Sequence, residues 1–141
     1  MVVEFKYRPA RSRGEIIWRP VAEITIVHND KKIHLSPYID SGADITMIPK
    51  SAGELLGFDL ERDKIEELSG IGDGKVPVIL KTVKMIIGDE TFDCRIGWSL
   101  IEEVPPLLGR KDIFERFAVL FQEWDRKILF IPKSEFVGLK F

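Results

Sequence analysis

The dominant hydrophobic period in this chain is two residues, not the three to four of a helix, and that limits the fold to one built mainly of strands. Ile16, Trp18 and Val21 lead into Ile24, Ile26 and His28, and Asn29-Asp30-Lys31 reads as a turn. Ile33, Leu35 and Tyr38 alternate back, so a long antiparallel hairpin is expected there. Ile45-Thr46-Met47-Ile48 is a further short strand closed by Pro49. Helical spacing appears first in Lys50 to Gly57, where Ala52, Leu55 and Leu56 share a face and Gly57 stands at the C-terminal cap. Lys64 to Leu80 should fold back at Asp73-Gly74, with Pro77 confining this arm to an edge or a projecting ribbon. Val83, Met85 and Ile87 can pair with Phe92, Cys94 and Ile96 across Gly88-Asp89-Glu90. Pro105-Pro106 interrupts the chain before Leu107-Leu108-Gly109, and Lys111 to Phe117 has room for one or two helical turns. Ala118 to Phe121 and Ile128 to Ile131 complete a last hairpin around Glu123 to Arg126. The expectation is an all-β fold, a closed or sandwiched sheet with one or two short helices.

The 141 residues show no linker, repeat or low-complexity tract, which fits a single domain over 1–141 with enough core to fold without staples. A net charge of −2 gives no general attraction to nucleic acid or to an acidic membrane. Lys6, Arg8, Arg11, Arg13 and Arg19 make the N-terminal segment locally basic, but without interleaved stacking aromatics they read as a solvated arm. No stretch is long and apolar enough for a membrane span. The one cysteine, Cys94, lies in an alternating apolar run and reads as a small buried hydrophobe. A free thiol and no N-terminal apolar run with a cleavage site point to the cytoplasm. His28 and His34 flank a turn with no partner at metal spacing, so neither a metal nor another cofactor is expected. Gly70-Ile71-Gly72 is not followed by a helix, which removes a phosphate-binding reading. Of the tryptophans, Trp18 and Trp124 read as core or rim, and Trp98 is a candidate wall of a specificity pocket.

The chemistry is concentrated in Tyr38-Ile39-Asp40-Ser41-Gly42-Ala43-Asp44, where an apolar strand runs directly into a carboxylate, a hydroxyl and a glycine. On its own, Asp-Ser-Gly after a strand is a common turn. Three features in order are more specific. Ile39-Asp40-Ser41-Gly42-Ala43 is followed by Leu107-Leu108-Gly109-Arg110, and the glycine-rich Gly70-Ile71-Gly72-Asp73-Gly74 lies between them. In this order the chain resembles the retropepsins, the retroviral-type aspartic proteases, over about residues 20 to 132.

The resemblance implies a closed acid-protease barrel and peptide-bond hydrolysis by water held between two carboxylates. It makes Asp40 the catalytic acid and base, supported by Ser41, Gly42, Ala43, Leu107, Leu108, Gly109 and Arg110. Gly42 and Asp44 would contact the substrate backbone, with Asp44 paired to Arg110, and Ile71 and Gly72 would close over the substrate as a flap. The terminal segments, with Val3, Phe5 and Tyr7 at one end and Phe136, Leu139 and Phe141 at the other, would interleave across a dimer. Two carboxyls about 3 Å apart cannot both ionise and so share one proton. The chain holds a single Asp-Ser/Thr-Gly, so a working pair requires Asp40 from two copies on a two-fold axis. Serine stands where threonine is commoner, Lys111 follows Arg110 where many relatives have asparagine, and Asp73 interrupts the flap glycines. The other readings are a non-catalytic dimerisation or peptide-binding module, and a half-site completed by a different chain.

Overall fold

A computed structural model describes residues 1–69 and 74–137. In order, these form β1 (Val3–Lys6), β2 (Arg8–Ser12), β3 (Glu15–Arg19), β4 (Ile24–His28), β5 (Lys31–Leu35), β6 (Tyr38–Ile39) and β7 (Thr46–Ile48). Helix α1 (Lys50–Leu55) follows, then β8 (Ile65–Ser69), β9 (Lys75–Ile87), β10 (Glu90–Ser99), β11 (Leu107–Leu108), β12 (Phe117–Gln122), β13 (Lys127–Pro132) and α2 (Lys133–Phe136). The main sheet runs β5-β4-β9-β10-β7-β11-β6, with β8 added to the far half of β9, and it curls into a half-barrel. A second sheet, β1-β13-β12, packs against it, and β2-β3 is a separate two-stranded ribbon. No helix among the described residues is long and apolar enough to cross a membrane.

The period of two translates directly into a buried and a solvent face. In the β9–β10 ladder, Val83 faces Cys94 and Met85 faces Phe92, all buried, while the intervening Lys84 and Asp93 form an exposed cross-strand ion pair at 2.6 Å. The β4–β5 hairpin closes through Asn29-Asp30, with Asn29 at φ 55, a left-handed position its short polar side chain tolerates. An aromatic ladder joins the two sheets. Phe92 meets Phe117 at 6.0 Å, Phe117 meets Phe130 at 5.5 Å, and Phe130 meets Phe5 at 5.5 Å, all edge to face.

Several expectations need correction. Ile16 and Trp18 do not extend the β4 hairpin; they belong to β3, which pairs with β2. Only the isolated Val21–Tyr38 bridge continues the ladder beyond Leu35. Ala52 and Gly53 in α1 and Leu56 at its C-cap are buried, but Leu55 is 68% exposed, because those three turn one face inward and Leu55 falls outside it. Gly57, at φ 78, does end that helix. Residues 111–116 form two successive turns and no continuous helix. Arg110 O accepts from Phe114 N and Ile113 O from Phe117 N, but Asp112 sits at φ 64 and breaks the spiral between them. The second short helix is instead α2. Trp98 is 2% exposed, and its indole N–H donates to Lys50 O at 3.0 Å, so it anchors α1 and does not wall a pocket. A Cβ on Gly53 would stand 2.1 Å from that indole, which explains a glycine inside the helix. At the N-terminus, β1 pairs with β13 of its own chain and Phe5 packs on Phe130. Leu139 and Phe141 lie outside the described residues.

Candidate active site

Asp40 stands at the first position after β6, and the backbone holds it from both sides. Its N–H donates to Leu108 O at 3.0 Å, and its carbonyl accepts from Ala43 N at 3.1 Å. The side chain is half-buried, and Oδ1 accepts from Gly42 N at 2.9 Å. That contact fixes the carboxylate at the mouth of the turn. Ser41 is exposed and makes no hydrogen bond among the described residues.

The Leu107-Leu108-Gly109-Arg110 segment is what shapes this loop. Strand β11 lies parallel to β6 on one side and antiparallel to β7 on the other, so Leu107 stands between Tyr38 and Met47. Leu108 is fully buried beside Ile39. Gly109 then passes so close to β7 that a Cβ would lie 2.4 Å from the Ile45 carbonyl carbon and 2.8 Å from Thr46 N. Those are backbone atoms that cannot swing aside, so only glycine fits. Its N–H donates to Thr46 Oγ1 at 3.0 Å in a fully buried contact. Beyond it, Arg110 N bonds to Ala43 O at 3.0 Å and Lys111 N to Asp44 O at 2.9 Å. Four main-chain or buried bonds therefore tie the second motif to the first, through Leu108, Gly109, Arg110, Lys111 and their partners.

Asp44 and Arg110 do meet, Nη2 to Oδ1 at 2.5 Å, but the Asp44 side chain is 84% exposed. A pair so open to water contributes at most a fraction of a kcal/mol, on the order of 0.2–1, so it orients side chains more than it holds the loop. The stronger clamp is one the sequence did not announce. Arg95 on β10 grips Asp112 with two guanidinium bonds, at 3.0 and 2.9 Å, and a backbone N–H at 2.9 Å. These bonds hold the Asp112 carboxyl down at about 2 although burial pushes it the other way. Thr46 was also missed. Its one signal is a hydroxyl within an otherwise apolar run.

Ile71 and Gly72, the expected flap contacts, lie outside the described residues. The arms that carry them, β8 and the first part of β9, do form an antiparallel ribbon, with Pro77 opposite Glu67. The histidines are apart from this region. His28 stacks edge-on against Phe58 at 4.8 Å and His34 Nδ1 is 2.8 Å from Thr25 Oγ1. Among the described residues, no three His, Cys, Asp or Glu side chains gather as metal ligands.

No protein-family model matches the sequence, and no curated protein matches it. Solved structures do. A retropepsin-like aspartic protease from Rickettsia conorii is similar at a TM-score of 0.60 and 23% identity, over 92% of this chain and 91% of that one. EIAV protease, solved with an inhibitor, gives 0.50 and 23% over 69% of this chain and 86% of its own. The retroviral protease-like domain of Ddi1 from Leishmania major gives 0.53 and 13% over 83% and 97%. The curled half-barrel sheet thus belongs to a known architecture, and this chain has the retropepsin-like aspartic-protease fold.

Proposed function

We propose that two copies of this chain form an aspartic endopeptidase in which the paired Asp40 carboxylates activate water to hydrolyse peptide bonds. The observation that carries this reading is the Asp40 loop itself. A half-buried carboxylate is fixed by its own turn, at 2.9 Å to Gly42 N, and by the strand behind it, whose Leu108 is fully buried. A turn with no task needs no such support. One carboxylate removes a proton from water while its protonated partner polarises the scissile carbonyl, each working at hydrogen-bond distance. Ser41, exposed and without a partner among the described residues, bonds across the two-fold axis. Gly42 and Asp44 meet the substrate backbone, and Ile71 and Gly72 close over it.

Counting supports the dimer, since one chain brings one carboxylate to the site. The surface supports it as well. Among the described residues, strand β12 has β13 on one side and no strand on the other, and Leu120, Phe121 and Trp124 are exposed along or beside it. An apolar open edge of this kind calls for a partner. A core cluster that draws on both sheets supports one domain for the whole chain. Burial pushes the Cys94 thiol up to about 12, leaving it inert, which suits the cytoplasm.

The test is cleavage of a mixed peptide library from acid to neutral pH by wild type and Asp40→Asn. Loss of about two to four orders of magnitude in rate on substitution is expected, with inhibition of wild type by a hydroxyl-bearing transition-state mimic. A folded, dimeric wild type that cleaves nothing would move the chain to a non-catalytic dimerisation or peptide-binding module.

A further inference from the structure

We propose that the β2–β3 ribbon is an arm that clasps a second copy of this chain; the inference rests on the homodimer reading above. The ribbon is a tight hairpin, Arg8 facing Arg19 through to Ser12 facing Glu15, turned by Arg13 and Gly14 at φ 52 and 76. It pairs with no other strand among the described residues, so both of its edges are open. Neighbouring side chains on a strand point to opposite faces, and Ile16 and Ile17 are 60% and 40% exposed. Neither face of the outer half is therefore covered. Isolated two-stranded ribbons are marginal in water unless a third strand or another surface packs on them.

The base of the ribbon, by contrast, is firmly attached. Tyr7 donates through its hydroxyl to Glu123 and through its N–H to Arg126 O, both at 2.8 Å. Arg126 lies over the Trp18 ring at 4.2 Å, and Arg8 pairs with Glu23 at 2.7 Å. Arg19 lies over Tyr38 at 5.5 Å, and Pro20 O accepts from Ile39 N at 3.0 Å. These contacts fix the ribbon to two places: the strand that presents Asp40, and the β12–β13 turn beside the open apolar edge. Those are the two regions through which the homodimer reading joins the copies. A five-residue strand extends about 17 Å, long enough for an arm rooted there to reach a copy docked against those regions.

Charge selects the occupant. Residues 8–19 carry four arginines against one glutamate, a net of +3, in a chain whose total is −2. The remainder therefore carries −5. Arg11 and Arg13 have no ion-pair partner among the described residues. A basic, apolar-tipped arm and an acidic body are complementary between copies, and opposite charges steer such contacts in a salt-dependent way.

The experiment compares wild type with a variant carrying Ile16→Ser, Ile17→Ser, Arg11→Glu and Arg13→Glu, all at exposed or partly exposed ribbon positions. Sedimentation equilibrium at low and high salt gives the dimer constant, and hydrogen exchange follows ribbon amides 10–17 as protein concentration rises. An unchanged circular-dichroism spectrum certifies the variant's fold. The arm predicts a dimer weakened at least tenfold in the variant, a salt dependence confined to wild type, and ribbon amides that slow only as dimer forms. A wild-type dimer indifferent to the four substitutions, with ribbon amides exchanging freely throughout, overturns the arm and leaves the dimer standing. Ribbon protection that appears only on adding a peptide substrate also overturns it, assigning the ribbon to substrate. A wild type that remains monomeric at every concentration sinks the homodimer reading itself.

Discussion

Thr46 carries more structural weight than its position among Ile45, Met47 and Ile48 announces. It is fully buried, and its hydroxyl gives the Gly109 N–H its hydrogen-bond partner. Thr46→Val keeps the shape and removes that acceptor, leaving an unpaired N–H in the interior. The expected cost is about 1–3 kcal/mol, read as a lower urea midpoint at unchanged slope. Thr46→Ser should recover much of it, and a valine variant as stable as wild type would show that the bond is dispensable. Asp112 supplies a second prediction at this scale. Its folded value of about 2 lies below the ordinary 3.8, so the folded state favours its ionised form. The resulting stability is fully present above pH 3.8 and is lost as pH falls through about 2. Asp112→Asn should be less stable than wild type at neutral pH, with the gap closing toward pH 2; a gap constant with pH would rule out this pair as the cause. Neither role could be read from the chain, because a threonine or an aspartate becomes structural only through a partner 63 or 17 residues away.

Elements formed by neighbouring segments were legible, and elements assembled from distant ones were not. The β4–β5, β9–β10 and β12–β13 hairpins follow from alternation and turn residues alone. Strand β11 has two residues and no pattern to display; it exists because β6 and β7 leave a slot between them. Helix α1 shows the same division. Its span and glycine cap were readable, but its N-terminus is held by Glu102, which accepts from Ser51 N at 2.8 Å and Ser51 Oγ at 2.6 Å from a remote loop. Those bonds hold the Glu102 carboxyl below its ordinary value. The burial of the helix is also decided by its neighbours. Leu56→Ala should cost about 2–5 kcal/mol, whereas Leu55→Ala should stay within about 0.5 kcal/mol. Equal losses in thermal unfolding would mean that the helix docks by a different face.

At the scale of the whole molecule, the sequence pointed to the acid-protease architecture through three short motifs in order, and the curled sheet agrees with it. What the motifs did not convey was the N-terminal layer. Val3 to Arg19 contributes a strand to the second sheet and then a ribbon standing away from it, because Phe5 and Tyr7 find their partners in the last hairpin. On the homodimer reading proposed above, folding and function share a concentration dependence. Raising the protein concentration a hundredfold should raise the thermal midpoint by mass action, and activity per chain should rise with it until the dimer saturates. A midpoint and a specific activity that ignore concentration would exclude a reversible homodimer in that range.

The glycine strand threaded behind Asp40 also dictates when the site can come into being. Residues 38–44 are made early, but the carbonyl of Leu108 and the N–H groups of Gly109 and Arg110 that fix them are made some sixty residues later. Until those residues clear the ribosome, the catalytic loop has no backing and the slot between β6 and β7 stands open. Non-local closure of this kind is slow relative to hairpin formation, so the hairpins assemble first and the loop last. On the protease reading proposed above, the order in which the residues appear keeps a nascent chain from acting on itself or its neighbours.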